Sequence, residues 1–160
     1  MSAPWPPALR ERLLAARLFL VTGSTAIVAG GLIAAIMAHA SARPVMWVVA
    51  YLVLVVGVAQ AVLGIGQALL PVRLPTHNRR IYQWVAFNLG SVAVIVGRLL
   101  EARALVMVGT LVFLFSLLGF FLVARRAGGG WLALAFHGVL WITALGALTG
   151  LTLSLTGLVR

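Results

Sequence analysis

The chain has no cysteine, no aspartate and no lysine, and only two glutamates among its 160 residues. Without cysteine it forms neither disulfides nor thiolate metal sites, and without aspartate it cannot build an aspartate-containing catalytic triad. The two glutamates, Glu11 and Glu101, fall on opposite sides of the membrane in the topology predicted below, so we do not expect a paired-carboxylate mechanism. We therefore predict no catalytic residues and no metal site, in a protein that is not an enzyme.

Charge is scarce and apolar residues are abundant. Hydrophobic residues make up 63% of the chain and charged residues 9%, with a mean hydropathy of +1.15. Soluble domains have roughly 45–50% apolar and about 25% charged residues, and a small soluble fold leaves much of its surface exposed. The composition predicts an integral membrane protein in contact with a lipid bilayer, and we expect a multi-pass protein of the plasma membrane, here a bacterial inner membrane.

Five apolar runs are long enough to cross a bilayer as helices. They cover residues 13–38, 45–70, 82–100, 104–124 and 131–159, each near the roughly 20 residues that a crossing needs. Pro44 and Pro71 flank the second run, where a helix starts and stops readily. We predict an all-α fold, a bundle of about five transmembrane helices in one membrane domain, residues 1–160.

The arginines are unevenly divided between the two sides of this topology. One side collects Arg10, Arg12, Arg17, Arg73, Arg79, Arg80, Arg125 and Arg126. The other side collects Arg43, Arg98, Arg103 and Arg160. Because cytoplasmic loops carry the excess of Lys and Arg, we predict the N-terminus inside and the C-terminus outside. Because the arginines lie between apolar runs, as in the loops of a membrane protein, we do not expect the chain to bind nucleic acid. Trp47, Trp84, Trp131 and Tyr82 lie near predicted helix ends, as expected for rings at the membrane interface.

Gln60 and Gln67 are intramembrane polar residues of the second run. With Gly57 and Gly64 they recur at three- and four-residue spacing, which places them on one face of a helix. Such a stripe could line a substrate path, or it could be a packing surface where glycine permits close approach and amides hydrogen-bond across the contact. We favour packing.

The third run contains Asn88 and Arg98. We expect Asn88 to hydrogen-bond across to another helix. A charge inside a membrane is a functional-site hypothesis by default, but Arg98 lies close to the end of the run. We therefore favour an arginine that extends to the headgroups and pairs with Glu101 three residues later.

His77 and His137 are on the same side of the predicted topology, which suggests a bis-histidine haem b site. At 1.5 Å per residue, His137 lies about 9 Å into its helix. His77 belongs to the headgroup layer unless the third helix begins near Thr76, so the geometry argues against a shared iron. We expect His137 to hydrogen-bond to a neighbouring helix.

The fifth run carries small residues on one face, namely Thr143, Ala147, Gly150 and Ser154, overlapped by Gly146. Such a face suits close helix contact, within the chain or with a partner. Our preferred function is a non-enzymatic subunit or accessory protein of a larger membrane complex, associating with other subunits or with itself. The alternatives are a haem-binding or electron-transfer subunit, and a small transporter or lipid-handling protein that uses the Gln60–Gln67 stripe.

Overall fold

The computed structural model describes residues 7–39, 43–71, 74–125 and 130–156. It is 91% helical and has no β-strand in these ranges, so the all-α prediction is confirmed. The helices are α1 (Pro7–Ile36), α2 (Arg43–Leu69), α3 (His77–Leu99), α4 (Arg103–Ala124) and α5 (Trp131–Thr156). The middle of α2, Leu52–Ala59, is a π-helix between α-helical segments Arg43–Tyr51 and Gln60–Leu69.

Four of these helices, α1, α2, α4 and α5, are long and apolar enough to cross a membrane. The chain is therefore a multi-pass membrane protein. Helix α3 has 23 residues but is less apolar, because Gln83, Asn88 and Arg98 lie within it.

Two helices begin five or more residues earlier than predicted, since a hydropathy pattern marks the apolar part of a helix and not its polar turns. Helix α1 starts at Pro7 rather than at residue 13, because proline suits a first turn and the following Ala, Leu, Arg and Glu are good helix formers. Helix α3 starts at His77 rather than at residue 82. The predicted end of the fifth helix, at residue 159, lies outside the described residues.

Close backbone contacts at glycines hold the helices together in pairs. Between α1 and α2, a Cβ added at Gly23 would lie 2.8 Å from the Gly57 carbonyl oxygen. Between α3 and α4, a Cβ at Gly90 would lie 2.7 Å from the Phe113 nitrogen, and one at Gly97 would lie 2.8 Å from the Val106 nitrogen. Small residues allow this proximity, which membrane helices use because lipid supplies no hydrophobic force between them.

A cluster of phenylalanines joins the two pairs. The rings of Phe19 (α1) and Phe120 (α4) are 5.5 Å apart edge to face, and those of Phe87 (α3) and Phe113 (α4) are 4.8 Å apart. Leu63 of α2 and Phe136 of α5 belong to the same buried cluster, so all five helices contribute to one core.

At one end of the bundle, arginine side chains hydrogen-bond to carbonyl groups of neighbouring helices. Arg12 donates from Nη1 to the carbonyl oxygens of Ala68, at 2.8 Å, and Pro71, at 3.2 Å, which joins the start of α1 to the end of α2. A cation suits a helix C-terminus, where carbonyls lack helical partners. The described arginines at this end are Arg10, Arg12, Arg17, Arg79, Arg80 and Arg125, whereas Arg43, Arg98 and Arg103 are at the opposite end.

Candidate functional site

A cleft of about 640 Å³ opens between α2, α4 and α5, with α3 contributing at one end. It extends from the end opposite the arginine-rich end, at Trp47, past the middle of α2 to Val62. Its lining includes Trp47 near the start of α2, Arg98 near the end of α3, and Ser154 near the end of α5.

Ala144 and Ala147 of α5 contact the buried cluster, but α5 packs most closely on the bundle along its first half. There the Phe136 ring rests on Gly66, Leu140 is buried, and Trp141 meets the ring of Phe121 on α4. Further along, a Cβ added at Gly146 or Gly150 would meet no atom within 4 Å.

The small-residue face of α5 was expected to suit a close helix contact, within the chain or with a partner. In the structure this face lines the cleft through Thr143, Gly146, Ala147, Gly150 and Ser154. Ala147 packs against the buried cluster, whereas a Cβ added at Gly146 or Gly150 would meet open space. At the two glycines, the lack of a side chain leaves space in the lining instead of closing a helix–helix contact.

The walls of the cleft are apolar. The α2 wall consists of Leu54, Val55, Val58, Ala59 and Val62. The hydroxyls of Thr110 and Thr143 also belong to the lining, but they donate to carbonyls of their own helices, Val106 at 2.8 Å and Val139 at 2.7 Å. Both hydroxyls therefore have partners within their own helices, and the mostly apolar lining suits a hydrocarbon ligand.

Arg98 is the cationic side chain among the described residues that line the cleft. Its side chain is half-buried, and among the described residues it has no ion pair or side-chain hydrogen bond. The expected pair with Glu101 does not form. Helix α3 ends before that residue: Glu101 has a φ of 54°, the left-handed position that follows a helix, and the Ala102 nitrogen donates to the Gly97 carbonyl at 2.8 Å to close a Schellman turn. The Glu101 side chain is exposed.

Gln60 and Gln67 lie in helix contacts and outside the cleft. Gln60 is fully buried and donates from Nε2 to the Thr22 hydroxyl of α1 at 2.6 Å. Gln67 donates to the side-chain carbonyl of Gln83 on α3. The π-helical segment of α2 presents one face to α1, through Gly57, and its opposite side to the cleft.

Asn88 and Trp84 differ from their predictions, which were a hydrogen bond to another helix for Asn88 and a position at the membrane interface for Trp84. Asn88 donates from Nδ2 to the Trp84 carbonyl at 2.8 Å, within its own helix, so it does not bridge two helices. Trp84 donates from its indole nitrogen to Thr22 at 3.2 Å and packs on the buried core, and thus it is not an interface ring. By contrast, Tyr82 and Trp131 are largely exposed.

The two histidines have separate surroundings. The third helix does begin at His77, after Thr76, but the His77 side chain is exposed. His137 is half-buried on α5, with Nδ1 2.7 Å from the Ala133 carbonyl of its own helix and its ring edge-on to Phe121 at 5.9 Å. The expected bond from His137 to a neighbouring helix is therefore replaced by one within α5. Helices α3 and α5 share no extended interface over the described residues, so the fold does not bring these rings together.

The sequence patterns did not single out three polar residues that make contacts in the structure, namely Thr22, Gln83 and Tyr51. Thr22 accepts from both Gln60 and Trp84, and a hydroxyl in the middle of an apolar run was the available signal. Gln83 lay one residue inside a predicted helix boundary and therefore resembled a headgroup-level residue. Tyr51 lines the cleft, stacks on Trp47 with ring centroids 5.2 Å apart and lies close to Ser91.

Comparisons of the chain with protein-family models, with curated proteins and with solved structures find no match.

Proposed function

We propose that the chain is a non-enzymatic membrane protein that binds a lipid in the cleft between α2, α4 and α5. The observation that carries this proposal is the cleft itself, a space of about 640 Å³ with apolar walls and, among the described residues, one cationic side chain, Arg98. The cleft supports the lipid-handling alternative considered from the sequence, with a different proposed site from the Gln60–Gln67 stripe.

The size of the cleft fits a small amphipathic molecule. Ligand sites for small molecules span about 300–1,000 Å³, which includes the value of about 640 Å³ found here.

We also propose that α3 crosses the membrane, which gives five crossings. Helix α3 follows α4 from Gln83, which lies against Gly119, to Gly97, which lies against Val106. These contacts extend over 14 residues, or about 21 Å, so α3 shares the membrane depth of α4. Its polar residues Gln83 and Ser91 are buried against the bundle, away from lipid.

Six described arginines at one end of the bundle and three at the other support an N-terminus inside and a C-terminus outside. In that orientation the end of the cleft at Trp47 and Arg98 lies towards the outer face of a plasma membrane. The natural absence of cysteine allows a direct test with an impermeant maleimide. Thr76→Cys and Glu101→Cys should label from opposite sides, and labelling from the same side would contradict a crossing by α3.

Lipid binding is tested by filling the cleft. The double variant Gly146→Leu/Gly150→Leu puts two large side chains into open space within the lining. Gly138→Leu is the matched control, since Gly138 is on the same helix, has equally open space and lies outside the cleft. We expect native mass spectrometry after mild detergent extraction to find bound lipid on the wild type and on Gly138→Leu, and to find it lost from the double variant.

Equal lipid retention by all three proteins would contradict the proposal, provided that size-exclusion chromatography and thermal unfolding show the double variant to be folded. A polypeptide released by the double variant but kept by Gly138→Leu would also contradict it. That outcome would assign the cleft to a protein partner.

The second candidate function is the assembly subunit preferred from the sequence. It is favoured by the small residues of α5, Gly146 and Gly150 above all, which remain open to approach. A cysteine at Ala147, on the same face, should then form a disulfide or a bifunctional cross-link with a partner in native membranes. A monomeric, uncross-linked chain with bound lipid would leave the first proposal in place and refute this one.

A further inference from the structure

We infer that the cleft selects an anionic glycerophospholipid of the surrounding bilayer, with the lipid phosphate on the Arg98 guanidinium and an acyl chain along the wall between α2 and α5. This inference rests on the proposed lipid-binding function and adds the class of headgroup.

The state of Arg98 is the first argument. The side chain is half-buried in the last turn of α3 and lines the cleft, and the described part of the chain offers it neither an ion pair nor a side-chain hydrogen bond. A partly desolvated guanidinium requires a counter-charge. A phosphate meets this need, because its oxygens accept two parallel hydrogen bonds from arginine. In an anionic lipid such as phosphatidylglycerol this charge is not offset by a headgroup cation, whereas the choline of phosphatidylcholine offsets it, so Arg98 favours the anionic lipid.

The depth of Arg98 in the membrane is the second argument. Trp47 lies near the start of α2, at the same end of the cleft, and such an amphipathic ring prefers the level of the headgroups. From Trp47 the apolar α2 wall continues to Val62, 15 residues or about 22 Å further along the helix. One leaflet of hydrocarbon is about 15 Å thick, so the wall accommodates an acyl chain whose phosphate lies beside Arg98.

The charges near the cleft end are consistent with an anionic ligand. Glu101, the acidic residue nearest in sequence to Arg98, is exposed and does not line the cleft. Arg103 lies at the same end of the bundle and is also exposed and outside the lining. Arg103 therefore provides a matched control that carries the same charge at a similar depth.

The test uses the full chain in nanodiscs of equal parts phosphatidylglycerol and phosphatidylcholine. After detergent extraction and washing, native mass spectrometry gives the ratio of the two lipids retained on the protein. We expect the wild type to retain phosphatidylglycerol preferentially. Arg98→Gln should reduce the ratio of phosphatidylglycerol to phosphatidylcholine about fivefold, the effect of one basic residue near a membrane surface.

Two further variants sharpen the result. Arg98→Lys keeps the charge but loses the bidentate geometry, and it should give an intermediate ratio. Arg103→Gln should leave the ratio unchanged. Equal ratios for Arg98→Gln and Arg103→Gln, or a wild type without preference, would overturn the inference.

The same experiment distinguishes a failure of the headgroup inference from a failure of the proposed lipid-binding function. If the cleft-filling variant Gly146→Leu/Gly150→Leu loses total lipid while Arg98→Gln leaves the headgroup ratio unchanged, the cleft binds lipid and only the headgroup inference fails. If total retained lipid does not depend on the cleft-filling variant, the proposed function itself fails.

Discussion

The contact between α3 and α4 gives a quantitative prediction for Gly90→Ala. A Cβ at Gly90 would lie 2.7 Å from the Phe113 nitrogen and 2.9 Å from both the Gly109 oxygen and the Phe113 Cα. An ordinary contact begins at 3.4 Å, so the helices must separate locally by about 0.7 Å. The atoms involved belong to the backbone and cannot rotate away. Overpacking of this kind costs about 1–3 kcal/mol, and the better helix propensity of alanine returns up to about 1 kcal/mol.

We therefore expect Gly90→Ala to lower the free energy of unfolding by about 1–2 kcal/mol. The matched control is Gly138→Ala, where the added methyl meets no atom within 4 Å and only the gain in helix propensity remains. Reversible unfolding in mixed micelles of increasing dodecyl sulfate content, followed by tryptophan fluorescence, measures both variants. If Gly90→Ala proved as stable as Gly138→Ala, the close packing of α3 on α4 would be refuted.

Three further predictions concern helix ends and buried amides, and each is measured in the same unfolding assay. Glu101→Gly should stabilise the protein by about 0.5–1 kcal/mol, because glycine adopts the left-handed conformation without a steric penalty; a loss of stability would show that the Glu101 side chain has a role of its own. Gln67→Leu alone should destabilise by about 1 kcal/mol, while Gln67→Leu/Gln83→Leu should lose less, since removing both buried partners leaves no unpaired amide; additive losses would contradict the pairing. Arg12→Gln should cost about 1–2 kcal/mol by removing charged hydrogen bonds to the end of α2, and an unchanged midpoint would argue against that contact.

Much of the fold was predictable because lipid imposes a simple rule on the backbone. Every N–H and C=O group in the hydrocarbon region must find a partner, and helices satisfy this internally. The apolar runs therefore located the helices, and Pro44 and Pro71 marked the limits of α2 closely. The polar first turns of α1 and α3 were missed because helical propensity continues beyond the apolar residues that hydropathy detects.

The partners of polar side chains were harder to predict. An asparagine or histidine in lipid can bond across to another helix or back to a carbonyl four residues earlier, and Asn88 and His137 both take the second option. Sequence spacing identifies the face on which a residue lies. It does not show what lies opposite that face.

The cleft itself could not be predicted from sequence, because it is a space left between helices. The residues Thr143, Ala147, Gly150 and Ser154 would serve equally well in a tight helix contact. What distinguishes the cleft is that α5 packs closely at Phe136 and leaves open space at Gly146, and this depends on the three-dimensional course of the whole helix.

The most direct test of lipid binding is to locate the lipid by photocross-linking. The full chain is placed in nanodiscs that contain a trace of a phospholipid with a diazirine in its acyl chain, and adducts are mapped by peptide mass spectrometry. Val28 and Leu32 of α1 are about 60% exposed and serve as the reference for ordinary lipid contact. We predict adducts concentrated on the α5 segment around Gly146 and on the α2 wall around Val58, well above the reference. Adducts at the same level on α1 and on the cleft walls would contradict a lipid-binding site.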